Sequence, residues 1–207
     1  MTLIDISPLI DADIAVWPGD TPYVRTINTD MAAGENLTLS DIRSTVHVGA
    51  HADAPSHYVA TGQDIASRSL DYYIGPCVVL HVDGVRGRRI YPDDIRGKDV
   101  APRVLLHTGT FPDPRSWNDD FASLSPELVD SLHERGVITI GIDTPSVDPM
   151  DSKALEAHQA LARHDMANLE GLVLDGVAEG RYELIALPLR LAGADGSPVR
   201  AVLRTLV

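Results

Sequence analysis

Residues 47 to 57 read His-Val-Gly-Ala-His-Ala-Asp-Ala-Pro-Ser-His. Three of the chain's eight histidines and one aspartate fall within these eleven positions. All four, His47, His51, Asp53 and His57, occupy odd positions, so a strand would point them to one face. A straight strand would still hold His47 and His57 roughly 33 Å apart, at about 3.3 Å per residue, so the segment must curl. Gly49 permits the backbone angles of a bend, while Pro55 fixes one angle and biases Ala54 towards extended. His51 and Asp53, two apart, can face one ion together, and a bend at Gly49 lets His47 join them. Imidazole and carboxylate donors at this spacing suit a zinc-like or manganese-like ion. The plain alternative is a polar loop, but four inward-pointing polar side chains would then need separate partners. One ion satisfies three of them, and that reading prevails.

The rest of the chain must hold this stretch in place. At 207 residues it suits one domain, long enough to bury about 70% of its unfolded surface. A hydrophobic fraction of 44% is ordinary for a globular protein. The net charge of −13 argues against nucleic acid and against an anionic membrane surface as partners. The one cysteine, Cys77, excludes an internal disulfide and a Cys-rich zinc site, and its apolar surroundings predict an inert buried thiol. Residues 1 to 13 lack Lys and Arg and do not read as a signal peptide, and no apolar run reaches the length of a membrane span. A cytoplasmic chain is expected.

Short strands are predicted at Leu3–Ile6, Tyr23–Asp30 and Leu37–Val46, the last feeding into the histidine stretch. Buried strands follow at Cys77–Val82, Val104–Thr108 and Val137–Ile142, and further strands at Leu172–Leu174, Tyr182–Leu187 and Val199–Leu206. Ser69 to Ile74 suits a helical turn. Ser125, Pro126 and Glu127 open a helix well, and Gly136 closes it. Glu156 to Met166 reads as another helix. His81 and His107 end strands and are expected to be hydrogen-bonded core or rim groups, and His133 lies off its helix's apolar stripe. Roughly eight strands to three helices, unevenly interleaved, favour an α/β or α+β domain with a mixed sheet.

The string His47-x-Gly49-x-His51-x-Asp53-x-Pro55-x-His57 resembles the motif of the cyclase-type metal-dependent hydrolases, and within them that of the bacterial kynurenine formamidases (arylformamidases). The resemblance runs nearly end to end. It implies the mixed-sheet β/β/α swivelling fold and a dimer. Ala50 departs from the threonine usual in this motif, which implies a changed hydrogen bond near the ligands rather than a lost ion. Trp17, in the loop Trp17-Pro18-Gly19-Asp20, reads equally as a packing anchor or as an aromatic wall beside a ligand. The family's matching loop borders the substrate, so the resemblance implies a substrate contact.

A second group of donors lies at residues 156–171. In one continuous helix His158 and Glu170 would lie about 18 Å apart and point about 120° apart. They converge only if the helix ends near Met166 and the chain turns back, as Asn168 and Gly171 allow. On residues alone His164 and Asp165 compete with them. The resemblance implies His158 and Glu170, through the spacing of twelve after the Asp143-Thr144-Pro145-Ser146 loop. It further implies two divalent ions: His47 and His51 on the first, His158 on the second, Asp53 and Glu170 bridging. A nitrogen and oxygen donor set suits zinc and leaves manganese open. His57, not needed as a ligand, is the natural general acid/base. The implied reaction is hydrolysis of N-formyl-L-kynurenine to L-kynurenine and formate, a step of tryptophan breakdown. The nearest rival is an isatin hydrolase or another small amide hydrolase of the same superfamily. A non-catalytic metal-binding protein would need no spare histidine. No Gly-x-Ser-x-Gly elbow supports a serine route.

Overall fold

The computed structural model describes residues 1–206. Thirteen strands and two α-helices follow in chain order. They are β1 (Leu3–Asp5), β2 (Val24–Thr29), β3 (Leu39–Arg43), β4 (His51–Asp53), β5 (Ile74–His81), β6 (Arg89–Ile90), β7 (Arg103–His107), β8 (Ser123–Leu124), α1 (Pro126–Glu134), β9 (Thr139–Ile142), α2 (Glu156–Arg163), β10 (Ala167–Glu170), β11 (Gly180–Ile185), β12 (Gly196–Pro198) and β13 (Val202–Thr205). The main sheet has nine strands in the order β1-β13-β11-β5-β7-β9-β10-β4-β12. Its middle, β5-β7-β9-β10, is parallel, and both flanks are antiparallel. This is the mixed α/β sheet that the residue pattern implied.

Alternation along the parallel strands builds two cores, one on each face. Val78, Leu80, Val104, Leu106, Ile140 and Ile142 face α1 and α2, where Leu128, Val129, Leu132 and Leu161 meet them. Val79, Leu105 and Leu169 point the other way, onto Tyr73, Leu172, Leu184 and Leu203. The Ser125 hydroxyl caps α1 by accepting from the Leu128 N–H at 3.1 Å. Gly136, at φ 82°, takes the left-handed position that ends it.

One expectation needs correction. Leu172–Leu174 is not a strand: the strand lies just before it, at Ala167–Glu170, and is polar at Asn168 and Glu170. Ser69 to Ile74 holds the expected helical turn, at Leu70–Tyr72 with Ser69 as its cap. Strand β10 pairs with β9 in parallel and with β4 antiparallel, setting Glu170 opposite His51. Strand β12 closes the other side of β4, with Gly196 opposite Asp53. The histidine stretch is therefore a three-residue strand clamped between two others and bent at both ends.

Candidate metal centre and active site

The bend before β4 falls at Gly49, whose φ is 61°. Gly171, at φ 64°, crosses it so closely that a Cβ there would lie 2.2 Å from the Gly49 carbonyl oxygen. Only glycine allows this approach, and it seats Glu170 beside the histidines. After β4 the chain turns through Pro55–His57 and brings the His57 ring within 4.2 Å of His47.

Asp53 and Glu170 are buried side by side with His51 and His158. His51 donates its Nδ1 proton to the Gly49 carbonyl at 2.9 Å, which leaves Nε2 facing Asp53 Oδ1 at 3.5 Å and Glu170 Oε2 at 3.4 Å. His158 donates through Nδ1 to Asp148 at 2.8 Å, which leaves its Nε2 facing Asp53 Oδ2 at 3.3 Å and Glu170 Oε1 at 3.4 Å. Each carboxylate thus turns one oxygen to His51 and the other to His158. His47 joins the His51 side, with Nδ1 at 2.9 Å from Asp53 Oδ1. His57 Nδ1 lies 3.3 Å from Asp195, and a His57 nitrogen also lies within 4.8 Å of donor atoms of Asp53 and His158.

The competing pair is elsewhere. The chain turns back at His164–Met166, with Asp165 at φ 49°, earlier than expected. His164 bonds Asp130 at 2.7 Å and stacks on the exposed His133 ring, and Asp165 accepts from the Tyr72 hydroxyl at 2.9 Å. His81 bonds the Val177 carbonyl and His107 bonds Asp175, both as hydrogen-bonded rim groups. Ala50 packs in the apolar core beneath β4. Cys77 is buried, and burial pushes its thiol up to about 12.

Reading the sequence missed four residues of this site. Asp148 is wholly buried and holds His158. Asn168 donates to Asp53 Oδ2 at 2.6 Å and to Glu170 Oε1 at 3.0 Å. Asp195 meets His47 and His57. Trp117 stands edge-on to Trp17, 5.2 Å between ring centres. Trp17, Phe111 and Trp117 line one wall of a cavity of about 520 Å³, and His47, His51, His57, His158 and Glu170 line another. Asn168 was visible only as a polar residue inside an apolar run. Asp148 belongs to the polar loop after β9, a legible site wall, and Trp117 to the Pro- and Asp-rich loop 111–122, while Asp195 carried no signal.

The charges in this cluster fit a cation. No Lys or Arg lines the cavity among the described residues. Burial alone would raise the Asp53 pKa, but His158 and His47 hold it well below the usual carboxylate range. Burial alone would likewise lower His158, yet Asp148, Asp53 and Glu170 raise it well above an ordinary imidazole. Beside the two buried carboxylates the imidazoles of His47 and His158 are held towards their charged forms, and a divalent ion bound by neutral imidazoles would supply that same positive charge.

The Cyclase family model matches residues 4–149, the span that contains the histidine stretch. The chain belongs to the Cyclase family. Among its relatives the kynurenine formamidase of Bordetella petrii is 47% identical over 206 residues, covering 99% of this chain and 98% of that protein. A solved structure described as a potential metal-dependent hydrolase with cyclase activity superposes with a TM-score of 0.86 at 28% identity, covering 98% of this chain and 96% of the other. Isatin hydrolase A of Labrenzia aggregata superposes with a TM-score of 0.79 at 20% identity, over 98% and 93% of the two chains, a likeness of fold.

Proposed function

We propose that this chain is a metal-dependent arylformamidase that hydrolyses N-formyl-L-kynurenine to L-kynurenine and formate in tryptophan breakdown. The observation that carries the reading is an aromatic-walled cavity opening onto a buried cluster of histidines and carboxylates. The near-full-length identity to a kynurenine formamidase supports the choice of substrate.

Two divalent ions, zinc in the first instance and manganese as the substitute, fit the way the carboxylates divide their oxygens. His47 and His51 would hold one, His158 the other, with Asp53 and Glu170 shared. Divalent ions there would supply Lewis-acid charge, which makes a nucleophile of water near neutral pH and polarises a carbonyl. Trp17, Phe111 and Trp117 receive the aryl ring and exclude water around it. A water oxygen adds to the formyl carbon, and the C–N bond then breaks to release formate. His57 Nε2 takes a proton from the attacking water and returns it to the departing arylamine nitrogen, a contribution worth typically 10²–10⁴-fold.

The chain acts as one cytoplasmic domain and pairs as a homodimer. The β2–β3 hairpin supports the pairing: nearly all of it is exposed, including Val24, Ile27, Leu39 and Ile42. A two-stranded ribbon is marginal alone in water, and a second copy is the commonest cover for such a surface. No helix of the described residues is long and apolar enough to cross a membrane.

Steady-state turnover of the metal-loaded protein with N-formyl-L-kynurenine and with isatin tests the reading. Substantially higher kcat/KM with the formamide is expected. Preference for isatin would replace the substrate while keeping the metal centre, and failure with both would point to metal binding without catalysis.

A further inference from the structure

Asp195 reaches the site from the far end of the chain, 148 residues from His47 and 138 from His57. It immediately precedes β12, and its carbonyl accepts from the Ala54 N–H at 2.9 Å, so its backbone is pinned to the end of β4. Its neighbour Gly196 lies under the His47 ring, where a Cβ would sit 2.9 Å from His47 Cε1 and 3.1 Å from the Ala52 carbonyl oxygen. The missing side chain lets the imidazole lie over β12 and meet the Asp195 carboxylate.

One oxygen, Asp195 Oδ2, serves both rings. It accepts from His47 Nε2 at 3.0 Å and from His57 Nδ1 at 3.3 Å. An ionised carboxylate only accepts, so the proton of a neutral His57 is held on Nδ1 and Nε2 is the nitrogen left free. His57 needs such a hold: it sits on a three-residue turn with 35% of its side chain exposed, and Asp195 is its one side-chain hydrogen-bond partner among the described residues. The ring borders the cavity that takes the aryl group.

We propose that Asp195 is a positioning residue that fixes the tautomer and ring orientation of His57, aiming Nε2 at the leaving nitrogen, with the His47 contact as its anchor. A carboxylate that orients an imidazole from behind is a general device, and its loss costs roughly 10–100-fold where it supports a metal ligand. This rests on the reading of His57 as the general acid, so the test separates the two.

The experiment is a double-mutant cycle on the zinc-loaded enzyme at saturating zinc, with metal content measured for every variant. The proteins are the parent, Asp195→Ala, His57→Ala and the double variant, with Asp195→Ser in place of Asp195→Ala if that variant does not fold. The substrates are N-formylanilines whose leaving amines range from good to poor. Asp195→Ala is expected to keep its zinc and KM, to lose about 10–100-fold in kcat, and to lose most on the poorest leaving amine. In the His57→Ala background the same substitution should change kcat less than twofold, because the group it acts through is gone. Asp195→Asn, whose carboxamide oxygen still accepts from Nδ1, should regain most of the loss.

Losses that multiply in the double variant, or that are equal across leaving amines, would show a purely structural role and overturn the proposal. A His57→Ala variant that keeps zinc and full kcat would refute the general-acid reading itself, and the positioning role with it. One that emerges zinc-depleted would make His57 a ligand, again overturning the proposal, whatever Asp195→Ala does.

Discussion

Removing the charge of Asp148 should destabilise the fold and loosen His158 together. Its Oδ1 accepts from the Ala157 N–H at 3.1 Å and from Arg89 at 2.9 Å. Its Oδ2 accepts from the His158 N–H at 3.0 Å and from the His158 ring at 2.8 Å. The carboxylate thereby caps α2, whose preceding residue, Leu155, offers no side-chain cap, and orients a candidate ligand on the first turn of that helix. Burial alone would raise the Asp148 pKa; the bonds from His158, from two backbone N–H groups and from Arg89 bring it down from 3.8 to about 2. A fall of nearly two units corresponds to roughly 2–3 kcal/mol of folding free energy. Because the folded pKa is the lower one, this stability is fully present above about pH 4 and is lost as the pH falls towards 2. Asp148→Asn presents an NH₂ group to donors and should forfeit about that amount. Urea unfolding of chelator-treated parent and variant measures it, free of any contribution from bound metal. The gap should be about 2–3 kcal/mol at pH 7 and clearly smaller at pH 3. A gap under about 0.5 kcal/mol at pH 7, or one equal at both pH values, would refute this account. The variant should also bind its second ion roughly 10–100-fold more weakly.

Other outcomes follow from the same geometry. Burial alone would lower the His47 pKa, but Asp53 and Asp195 raise it to about 9, so an ion must displace a proton at pH 7. Zinc affinity should therefore climb with pH up to about 9, and elemental analysis should find two ions per chain; a pH-independent affinity, or one ion after saturation, contradicts the scheme. Trp17→Ala removes one ring of the wall that receives the aryl group, a contact worth roughly 0.5–1.5 kcal/mol, so kcat/KM for aryl formamides should drop about 2- to 12-fold with metal retained. A Trp17→Ala protein that unfolds readily but keeps its normal KM would make the ring a packing anchor. Ile42→Asp, at a position 68% exposed on the hairpin, should turn a dimer into a folded monomer by light scattering, and a parent that is already monomeric would end the dimer reading.

The polar strand β10 shows where pattern reading stops. Asn168 and Glu170 look like loop residues because strand interiors are ordinarily apolar, yet here they face a buried cluster of donors. Leu172–Leu174 has strand composition, but Gly171 has already turned the chain off the sheet in a left-handed conformation. Both errors arise at the site, where the need to bury charge overrides the hydrophobic pattern. Elsewhere, at α1 and at the parallel strands β5, β7 and β9, composition and structure agree because ordinary core packing decides them.

What the sequence determined alone was local: the donor types at His47, His51, Asp53 and His57, the bend at Gly49, the capped start of α1 and the mixed-sheet class. Those rest on backbone angles and on spacings of a few residues, which one stretch of chain carries by itself. Glu170 meets His51 through strand pairing, and Asp148 meets His158 through a helix cap. Asp195 meets two histidines because β12 closes beside β4, and Trp117 meets Trp17 across a cavity between loops. These contacts span from 10 to 148 residues of chain. Only tertiary structure decided them, because a strand's neighbour is chosen by the packing of the whole sheet and leaves no spacing in the sequence to read.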